Sequence, residues 1–350
     1  MRKLSPAIIE RISDFEAESD LSVQGFALEK DHFVLEAIKL IKSLPTSQDF
    51  RFVFCGGTCL AKAYGLLHRM SEDVDFKLIP TLATAHLSKT ALRNKLSDFI
   101  KEVIENLENG GFGKGTIVRR SLDNNNYSSL DIQYESAFSK PSSLRSHLQI
   151  ELNHSQLRTP TQIKPVGLLL DKLIFNEYRE PIELECISIQ EALAEKLISF
   201  PRRLALQLEK VRSDQALEAS LGWDKALVRH LYDVHQITQN TSPEKLSSHE
   251  LAEVVSNVII HDAIEFQNQH PLFCTNPFDQ LTHALAHAAN NEKLKFQYNA
   301  FIMDMVYAPS ETIPSFDQAL SVFSKVLENI LTLNNQEKIA NAILGATYPK

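Results

Sequence analysis

This chain of 350 residues has few cysteines, a single tryptophan, no excess of positive charge and no long apolar run. The spacing of Cys55, Cys59, Cys186 and Cys274 does not resemble the disulfide framework of a small secreted protein, so we expect reduced thiols. The formal net charge of −8 argues against a protein that coats nucleic acid non-specifically, although it leaves room for a local basic groove.

The hydropathy pattern predicts neither a signal peptide nor a membrane span. Charges are scattered through the N-terminal segment MRKLSPAIIERISDFEAE, which lacks an apolar core and a small-residue cleavage site. No window reaches the roughly 18 consecutive apolar residues that a membrane helix needs. We therefore expect a cytoplasmic protein without a membrane partner.

Helical and strand patterns are unevenly distributed along the chain. Short alternating or β-prone runs in the first half predict about five strands, at 51–55, 74–79, 116–121, 128–135 and 147–153. Helices are predicted at 31–44, 59–64 and 86–108. After about residue 188, helical stretches are predicted at 190–200, 203–238, 246–267, 278–293 and 315–345, with Pro201 interrupting the helix that begins at 190. The predicted fold class is α+β, with a mixed β-sheet domain and flanking helices in 1–180 and a mostly helical domain in 181–350.

The most informative segment is FCGGTCLAKAYGLLHRMSEDVDF, residues 54–76, in which a short helix joins two strands. The first strand ends at Gly56-Gly57, where the lack of side chains allows another group to approach the backbone closely. Backbone N–H groups at the start of a helix favour a phosphate. Thr58 is expected to cap this helix.

Two carboxylates follow on the second strand of this segment. Alternation places Asp73 and Asp75 on one face, opposite the apolar side chains of Val74 and Phe76. Neighbouring carboxylates repel each other unless a cation lies between them, and hard oxygen ligands select Mg²⁺ or Mn²⁺. The alternative is a tight turn followed by a solvated strand edge that happens to carry two acids.

These residues resemble the signature of the DNA polymerase β-like nucleotidyltransferase superfamily, a Gly-Gly-Ser/Thr turn followed by Asp-x-Asp. Here 15 residues separate Gly57 from Asp73. The longer segment is similar to one branch, the AbiEii/AbiGii-type nucleotidyltransferases, which are toxins of bacterial toxin–antitoxin and abortive-infection systems. The matching positions are Thr58, Leu60, Tyr64, Gly65, Arg69, Ser71, Asp73, Asp75 and Phe76.

The resemblance continues in the second half of the chain. The segment EALAEKL, 191–197, resembles a family helix whose lysine, here Lys196, is a catalytic-site residue. The segment RHLYDV, 229–234, resembles a motif whose last aspartate, here Asp233, is essential. Without the resemblance, Lys196 would be interpreted as a solvated helix lysine, and Asp233 as a helix cap or half of a surface ion pair.

The resemblance implies a nucleotide site and a metal site. The nucleotide-binding residues would be Gly56, Gly57, Thr58, Arg69 and Ser71. The planar guanidinium of Arg69 matches a phosphate, but a surface ion pair with Glu72 or Asp73 is an equal alternative. Asp73 and Asp75 would hold Mg²⁺ or Mn²⁺, with a third carboxylate from Glu151 or, as second choice, Asp131. Both of these acids could instead be solvated strand residues.

The expected activity is transfer of a nucleoside monophosphate from an NTP to an acceptor, with release of pyrophosphate. The 3′ end of tRNA is the favoured acceptor, because some relatives act there, and a protein or a small molecule is the alternative. An antitoxin is a further suggested partner. Seven basic residues could line a groove for RNA or be scattered surface charge: Lys114, Arg119, Arg120, Arg158, Lys164, Arg202 and Arg203. The competing hypothesis is a catalytically inactive nucleotide- or protein-binding module on the same fold.

Overall fold

The computed structural model describes residues 2–19, 21, 23–44, 49–140, 144–213 and 224–347. The chain divides into two compact units, which we call the sheet unit and the helical unit. The sheet unit comprises Met1–Ser188 and Asp304–Ala308, and the helical unit comprises Ile189–Met303 and Pro309–Lys350. No helix in the described part of the chain is long and apolar enough to cross a membrane.

The sheet unit contains seven strands and five helices among its described residues. Its strands are β1 (Phe50–Cys55), β2 (Asp73–Pro80), β3 (Val118–Leu122), β4 (Tyr127–Gln133), β5 (His147–His154), β6 (Gln162–Val166) and β7 (Ile182–Cys186). Its helices are α1 (Pro6–Glu18), α2 (Gly25–Lys42), α3 (Gly56–Lys62), α4 (Lys89–Asn109) and α5 (Leu169–Phe175), with a short 3₁₀ turn at Asp123–Asn125. The strand order is β3-β4-β5-β2-β1-β7-β6, with β2 antiparallel to β1 and parallel to β5.

The apolar faces of β1 and β2 explain why these two strands lie at the centre of the sheet. Phe54 and Phe76 face each other in the register, with ring centroids 5.5 Å apart. On α4, Phe99 packs its ring against Phe50 and Phe52, at centroid distances of 5.4 and 5.0 Å. Burial of such aromatic side chains is a main source of stability, so this cluster holds α4 to the sheet.

The mixed sheet with flanking helices, followed by helices, confirms the predicted fold class. The five predicted strands are present, but β6 and β7 are additional. Pro165 lies inside β6, which is an edge strand, and edge strands tolerate a residue without an N–H. The four cysteines are free thiols, and Cys55, Cys59 and Cys186 are buried.

The helical unit contains only helices among its described residues. They are α6 (Ile189–Ser213), α7 (Arg229–Gln239), α8 (Pro243–Leu246), α9 (His249–Glu265), α10 (Pro271–Thr275), α11 (Pro277–Ala288), α12 (Glu292–Met305, whose last two residues belong to the sheet unit), α13 (Phe316–Leu333) and α14 (Gln336–Thr347), with 3₁₀ turns at Lys225–Val228 and Ser310–Thr312. Breaks near Asn290 and Asn334 divide the predicted stretches 278–293 and 315–345. Part of the predicted stretch 203–238 lies at 214–223, outside the described residues.

The predicted interruption at Pro201 is wrong, because α6 continues through it. A proline inside a helix removes one backbone hydrogen bond. Phe200 and Leu204, on either side of it, are fully buried. Burial of this apolar face outweighs the lost bond.

A buried ion pair connects three segments of the sheet unit. Nζ of Lys30 lies 2.8 Å from Oε1 of Glu72, and both side chains are almost fully buried. Burial lowers the pKa of Lys30, and the neighbouring charge of Glu72 offsets part of that shift. Lys30 also donates to the backbone oxygen of Arg145 at 2.9 Å, and Glu72 accepts the Arg145 N–H at 2.6 Å. The pair therefore holds α2, the start of β2 and the segment before β5 together.

We expect Lys30→Met to lower the free energy of unfolding by about 3–5 kcal/mol, because it leaves the Glu72 charge buried without its cation. The double variant Lys30→Met/Glu72→Gln should lose less, since glutamine is neutral and still accepts the Arg145 N–H. Urea unfolding followed by circular dichroism measures both. Lys101→Met is the control, because the Lys101–Asp98 pair is exposed, and it should change the value by less than about 0.5 kcal/mol. Equal losses for Lys30→Met and Lys101→Met would contradict this account.

Candidate active site

The turn between β1 and α3 places the backbone against the carboxylate of Asp75. Cys55, the last residue of β1, is paired with Asp75 in the antiparallel register. Gly56 follows with φ +73°, a left-handed conformation that favours glycine. A Cβ atom at Gly56 would overlap Oδ2 of Asp75. Position 56 therefore requires glycine both for its backbone conformation and for the space that the carboxylate occupies.

The second glycine of the turn makes room for a guanidinium. A Cβ atom at Gly57 would overlap Nη2 of Arg69 and would lie 3.4 Å from Oγ of Ser71. Arg69 is only 4% exposed, and its Nη1 donates to the backbone oxygen of Met70 at 2.9 Å. Arg69 therefore does not lie on the surface. Two predicted nucleotide-binding side chains, Arg69 and Ser71, lie directly beside the Gly57 backbone.

Thr58 does not cap α3, which is a correction to the prediction. The helix begins at Gly56, and its N-cap is Cys55. The Thr58 hydroxyl is buried, donates to the backbone oxygen of Asp73 and lies 2.7 Å from Oγ of Ser71. The side chain of Thr58 thus joins α3 to β2, because its hydroxyl points across to the neighbouring strand rather than back to its own helix.

Asp73 and Asp75 share one face of β2, as alternation predicts. Both side chains are partly exposed, whereas Val74 and Phe76 on the other face are buried. The core thus fixes the direction of the two acids. Their face is the one that the Gly56 turn approaches.

The neighbouring strand β5 brings a third acid into register. Glu151 is paired with Asp75 across the parallel strands β2 and β5. Burial raises the pKa of Tyr127, and its hydrogen bond and charge interaction with Glu151 raise it further. Asp131 lies one strand further away on β4, is 5% exposed and pairs with Arg120. Among the described residues, no three histidine, cysteine, aspartate or glutamate side chains converge as a ready-made metal site.

Sequence reasoning missed Arg145, which contacts the first aspartate of the pair. Its Nη1 donates to Oδ1 of Asp73 and to Oε1 of Gln149, the strand partner of Asp73. Burial alone would lower the pKa of Arg145, but the carboxylates of Asp73 and Glu72 outweigh it and raise the pKa. No sequence signal marks this residue, because its contact depends on the parallel pairing of β2 and β5.

A cavity of about 460 Å³ within the sheet unit adjoins the predicted nucleotide-binding residues. Thr58, Arg69 and Ser71 line it, together with Tyr178 and Tyr307. The volume lies in the range of about 300–1,000 Å³ that is typical of small-molecule sites. The two aspartates of β2 are not among its lining residues. A ligand that contacts the two aspartates could therefore place only a part of itself in this cavity.

The helical unit contains the other two predicted catalytic residues. Nζ of Lys196 on α6 lies 2.8 Å from Oδ2 of Asp233 on α7, and the two side chains are 10% and 1% exposed. Burial raises the pKa of Tyr298, with smaller contributions from Tyr232 and Asp233. The simpler alternatives, a solvated lysine and a helix cap or surface ion pair for Asp233, are therefore wrong.

At least three of the seven basic residues considered for an RNA groove are paired with acids. Arg120 pairs with Asp131, and the other two pairs are Arg202 with Asp262 and Arg203 with Asp224. Pairing reduces the net charge that these side chains can offer to a phosphate backbone. An RNA partner therefore cannot be argued from these three.

A comparison with protein families identifies one family, and a comparison with solved structures shows a shared fold. A family model described as "Nucleotidyl transferase AbiEii toxin, Type IV TA system" matches residues 42–322. Among solved structures, the chain is similar to MenT4, a nucleotidyltransferase toxin from Mycobacterium tuberculosis H37Rv. The TM-score is 0.54 at 16% identity, over 99% of this chain and 100% of that chain, which shows a shared fold. A search of the curated proteins found no match.

The family match covers most of the chain and includes every residue predicted for the site. The predicted nucleotidyltransferase-like fold is confirmed by the structural likeness, and the predicted family by the model match. The chain therefore belongs to the AbiEii family of nucleotidyltransferase toxins and is a nucleotidyltransferase.

Proposed function

We propose that this chain uses a divalent cation to transfer a nucleoside monophosphate from an NTP to an acceptor hydroxyl, with the 3′ end of tRNA as the favoured acceptor. The observation that carries the proposal is the contact geometry of Asp75 with the Gly56 turn, with Asp73 on the same face of β2. This arrangement brings two carboxylates and a helix start together, as phosphoryl transfer to a bound nucleotide requires.

The donor set fits Mg²⁺ or Mn²⁺ bound together with substrate. Mg²⁺ is usually held by one or two carboxylates plus substrate phosphates rather than by an all-protein cage. Two carboxylates on one strand face match that pattern. When bound, the cation would stabilise charge on the phosphates and activate the acceptor oxygen. We propose Asp73 and Asp75 as ligands and Glu151 as the third, because Glu151 is the strand partner of Asp75.

The chain's own residues would bind and orient the nucleotide. The backbone at Gly56, Gly57 and Thr58 would face the triphosphate, with Ser71 as a further donor and Arg69 as a cation for a phosphate. The acceptor oxygen would then form a bond to the α-phosphorus as its hydroxyl gives up its proton to water. The bond from the α-phosphorus to the oxygen of the β-phosphate breaks, and pyrophosphate leaves.

We include Lys196 and Asp233 of the helical unit among the catalytic residues because they match the family motifs. Lys196 would neutralise charge on the phosphates during transfer. Asp233 would hold the lysine in place, and the 2.8 Å ion pair between the two supports that role.

The partners and the compartment are also proposals. RNA as acceptor follows from the family resemblance. An antitoxin partner follows from membership in a toxin–antitoxin family. We propose a cytoplasmic location, because the substrates are an NTP and tRNA.

The direct test incubates the protein with each α-labelled NTP, Mg²⁺ and total tRNA. We expect lengthened, labelled tRNA 3′ ends and pyrophosphate release with at least one NTP. Asp73→Asn and Asp75→Asn should each lower the rate roughly a hundredfold or more, because the cation loses a ligand. Asp98→Asn, on an exposed face of α4, is the control and should keep the rate. If the label appears on a protein or a small molecule instead, tRNA is not the acceptor. If the chain binds NTP but releases no pyrophosphate with any acceptor, the inactive binding module is favoured.

A second test uses the space at Gly56. We expect Gly56→Ala to abolish transfer, because the added methyl group displaces the Asp75 carboxylate. Gly115→Ala is the matched control: its φ of +74° imposes similar backbone strain, but nothing lies within 4 Å of the added carbon. Both variants should lose about 1–2 kcal/mol of stability from strain, as thermal unfolding would show. Equal transfer rates for the two variants would contradict the role of the turn.

A third test asks whether the Lys196–Asp233 ion pair affects catalysis directly or only through the stability of the helical unit. Lys196→Met and Asp233→Asn should each lower kcat by roughly a hundredfold, because the phosphates lose their cation or the cation loses its position. Asp262→Asn is the control, since it weakens the partly buried Arg202–Asp262 pair, whose arginine also lies on α6. Steady-state kinetics and thermal unfolding measure both effects. If Asp262→Asn lowers kcat as much as Lys196→Met, the Lys196 effect is structural.

A further inference from the structure

Arg145 lies on one of the two carboxylates that the proposed reaction needs for its cation. Its Nη1 donates to Oδ1 of Asp73. The same nitrogen donates to Oε1 of Gln149, whose Nε2 in turn donates to Ser129 at 2.9 Å. The guanidinium is therefore held between a carboxylate and an amide of two neighbouring strands. A positively charged side chain of the protein thus already contacts Asp73.

The backbone of Arg145 is fixed, whereas its head group is not enclosed. Its N–H donates to Glu72 at 2.6 Å and its carbonyl oxygen accepts from Lys30 at 2.9 Å. These two partners form the ion pair that is almost fully buried. The Arg145 side chain is 36% exposed. The guanidinium can therefore leave Asp73 by rotation of its side chain alone, without disturbing the buried pair.

Electrostatics makes the guanidinium and a divalent cation competitors for Asp73. A carboxylate oxygen that accepts from a guanidinium is less available as a ligand, and two cations at one carboxylate repel each other. A displaced guanidinium needs another anion, and its planar donors match a phosphate. In the proposed reaction, the arriving anion is the triphosphate of the nucleotide.

We propose that Arg145 couples cation binding to nucleotide binding: its guanidinium occupies Asp73 in the nucleotide-free protein and moves to the triphosphate when the divalent cation takes the carboxylate. This inference rests on the proposed function, since it concerns the same carboxylate. Arg145 competes with the cation for Asp73 in the nucleotide-free protein and binds the triphosphate in the loaded one. The site then binds its cation more tightly when the nucleotide is present.

The first experiment measures Mn²⁺ binding to the full chain by electron paramagnetic resonance, without nucleotide or acceptor. Arg145→Gln should bind Mn²⁺ roughly five- to tenfold more tightly than the unaltered chain, a modest factor because the pair is half-exposed. Arg145→Lys keeps the charge but not the planar donors and should lie between the two. Arg120→Gln removes the partner of Asp131 on β4 and serves as the matched control, with no change expected. Tighter binding separates this role from a structural one, because damage to the fold weakens a metal site.

The second experiment measures binding of inorganic tripolyphosphate by calorimetry in the presence of EDTA. Asp73→Asn releases the guanidinium and should tighten tripolyphosphate binding severalfold. The double variant Asp73→Asn/Arg145→Gln should lose that gain. If the double variant keeps the gain, removal of the aspartate charge alone explains it, and Arg145 has no part in phosphate binding.

The proposal is overturned if Arg145→Gln and Arg145→Lys bind Mn²⁺ no more tightly than the unaltered chain. It is also overturned if Arg120→Gln tightens binding as much as Arg145→Gln. Neither measurement involves catalysis, so its outcome is separate from that of the tRNA labelling test. Tighter Mn²⁺ binding without nucleotidyl transfer would refute the proposed reaction and retain the competition at Asp73. Nucleotidyl transfer without tighter Mn²⁺ binding in Arg145→Gln would support the proposed reaction and refute the competition at Asp73.

Discussion

The close approach of the Asp75 carboxylate to the backbone at Gly56 is the constraint on which the rest of the site depends. It requires the β1–β2 register in which Cys55 faces Asp75. In a strand, a slip of one residue exchanges the two faces, so both aspartates would turn into the core. The buried rings of Phe54 and Phe76 oppose such a slip. Packing on the apolar face thus determines where the chemistry of the polar face lies.

Buried charges surround this turn and connect it to the helices. Asp31 and Lys62 form a second buried pair at 2.5 Å, which joins α2 to the end of α3. Lys62 also donates to Gly167 at 2.9 Å, and Asp31 accepts the N–H of Leu169 at 2.8 Å. Such pairs contribute little net stability, because desolvation offsets the attraction, but an unpaired member is costly. We infer that the buried ion pairs fix the position of α3 relative to the sheet.

Local sequence determines part of this site and long-range pairing determines the rest. The glycine turn and the alternation of Asp73 and Asp75 follow from chain neighbours, so both could be predicted. Arg145 could not, because its contact with Asp73 arises when two strands far apart in sequence become parallel neighbours. The prediction at Pro201 failed for the opposite reason. Proline locally disfavours a helix interior, but burial of the residues on both sides of it stabilises the continuous helix. Lys196 was found only through family resemblance, since its burial depends on packing.

The return of the chain at Asp304–Ala308 has a consequence for how the protein can be divided. Met70 donates its N–H to Met305 at 2.8 Å, and Tyr307 donates to His68 at 3.0 Å. These bonds flank Arg69, yet they come from a segment more than a hundred residues beyond Ser188. A fragment that ends anywhere before Asp304, whether made by a premature stop or by a protease, therefore lacks a piece of the sheet unit. The chain leaves the sheet unit after Ser188, returns to it at Asp304–Ala308 and leaves it again, so recombination at a single junction could not separate the two units cleanly.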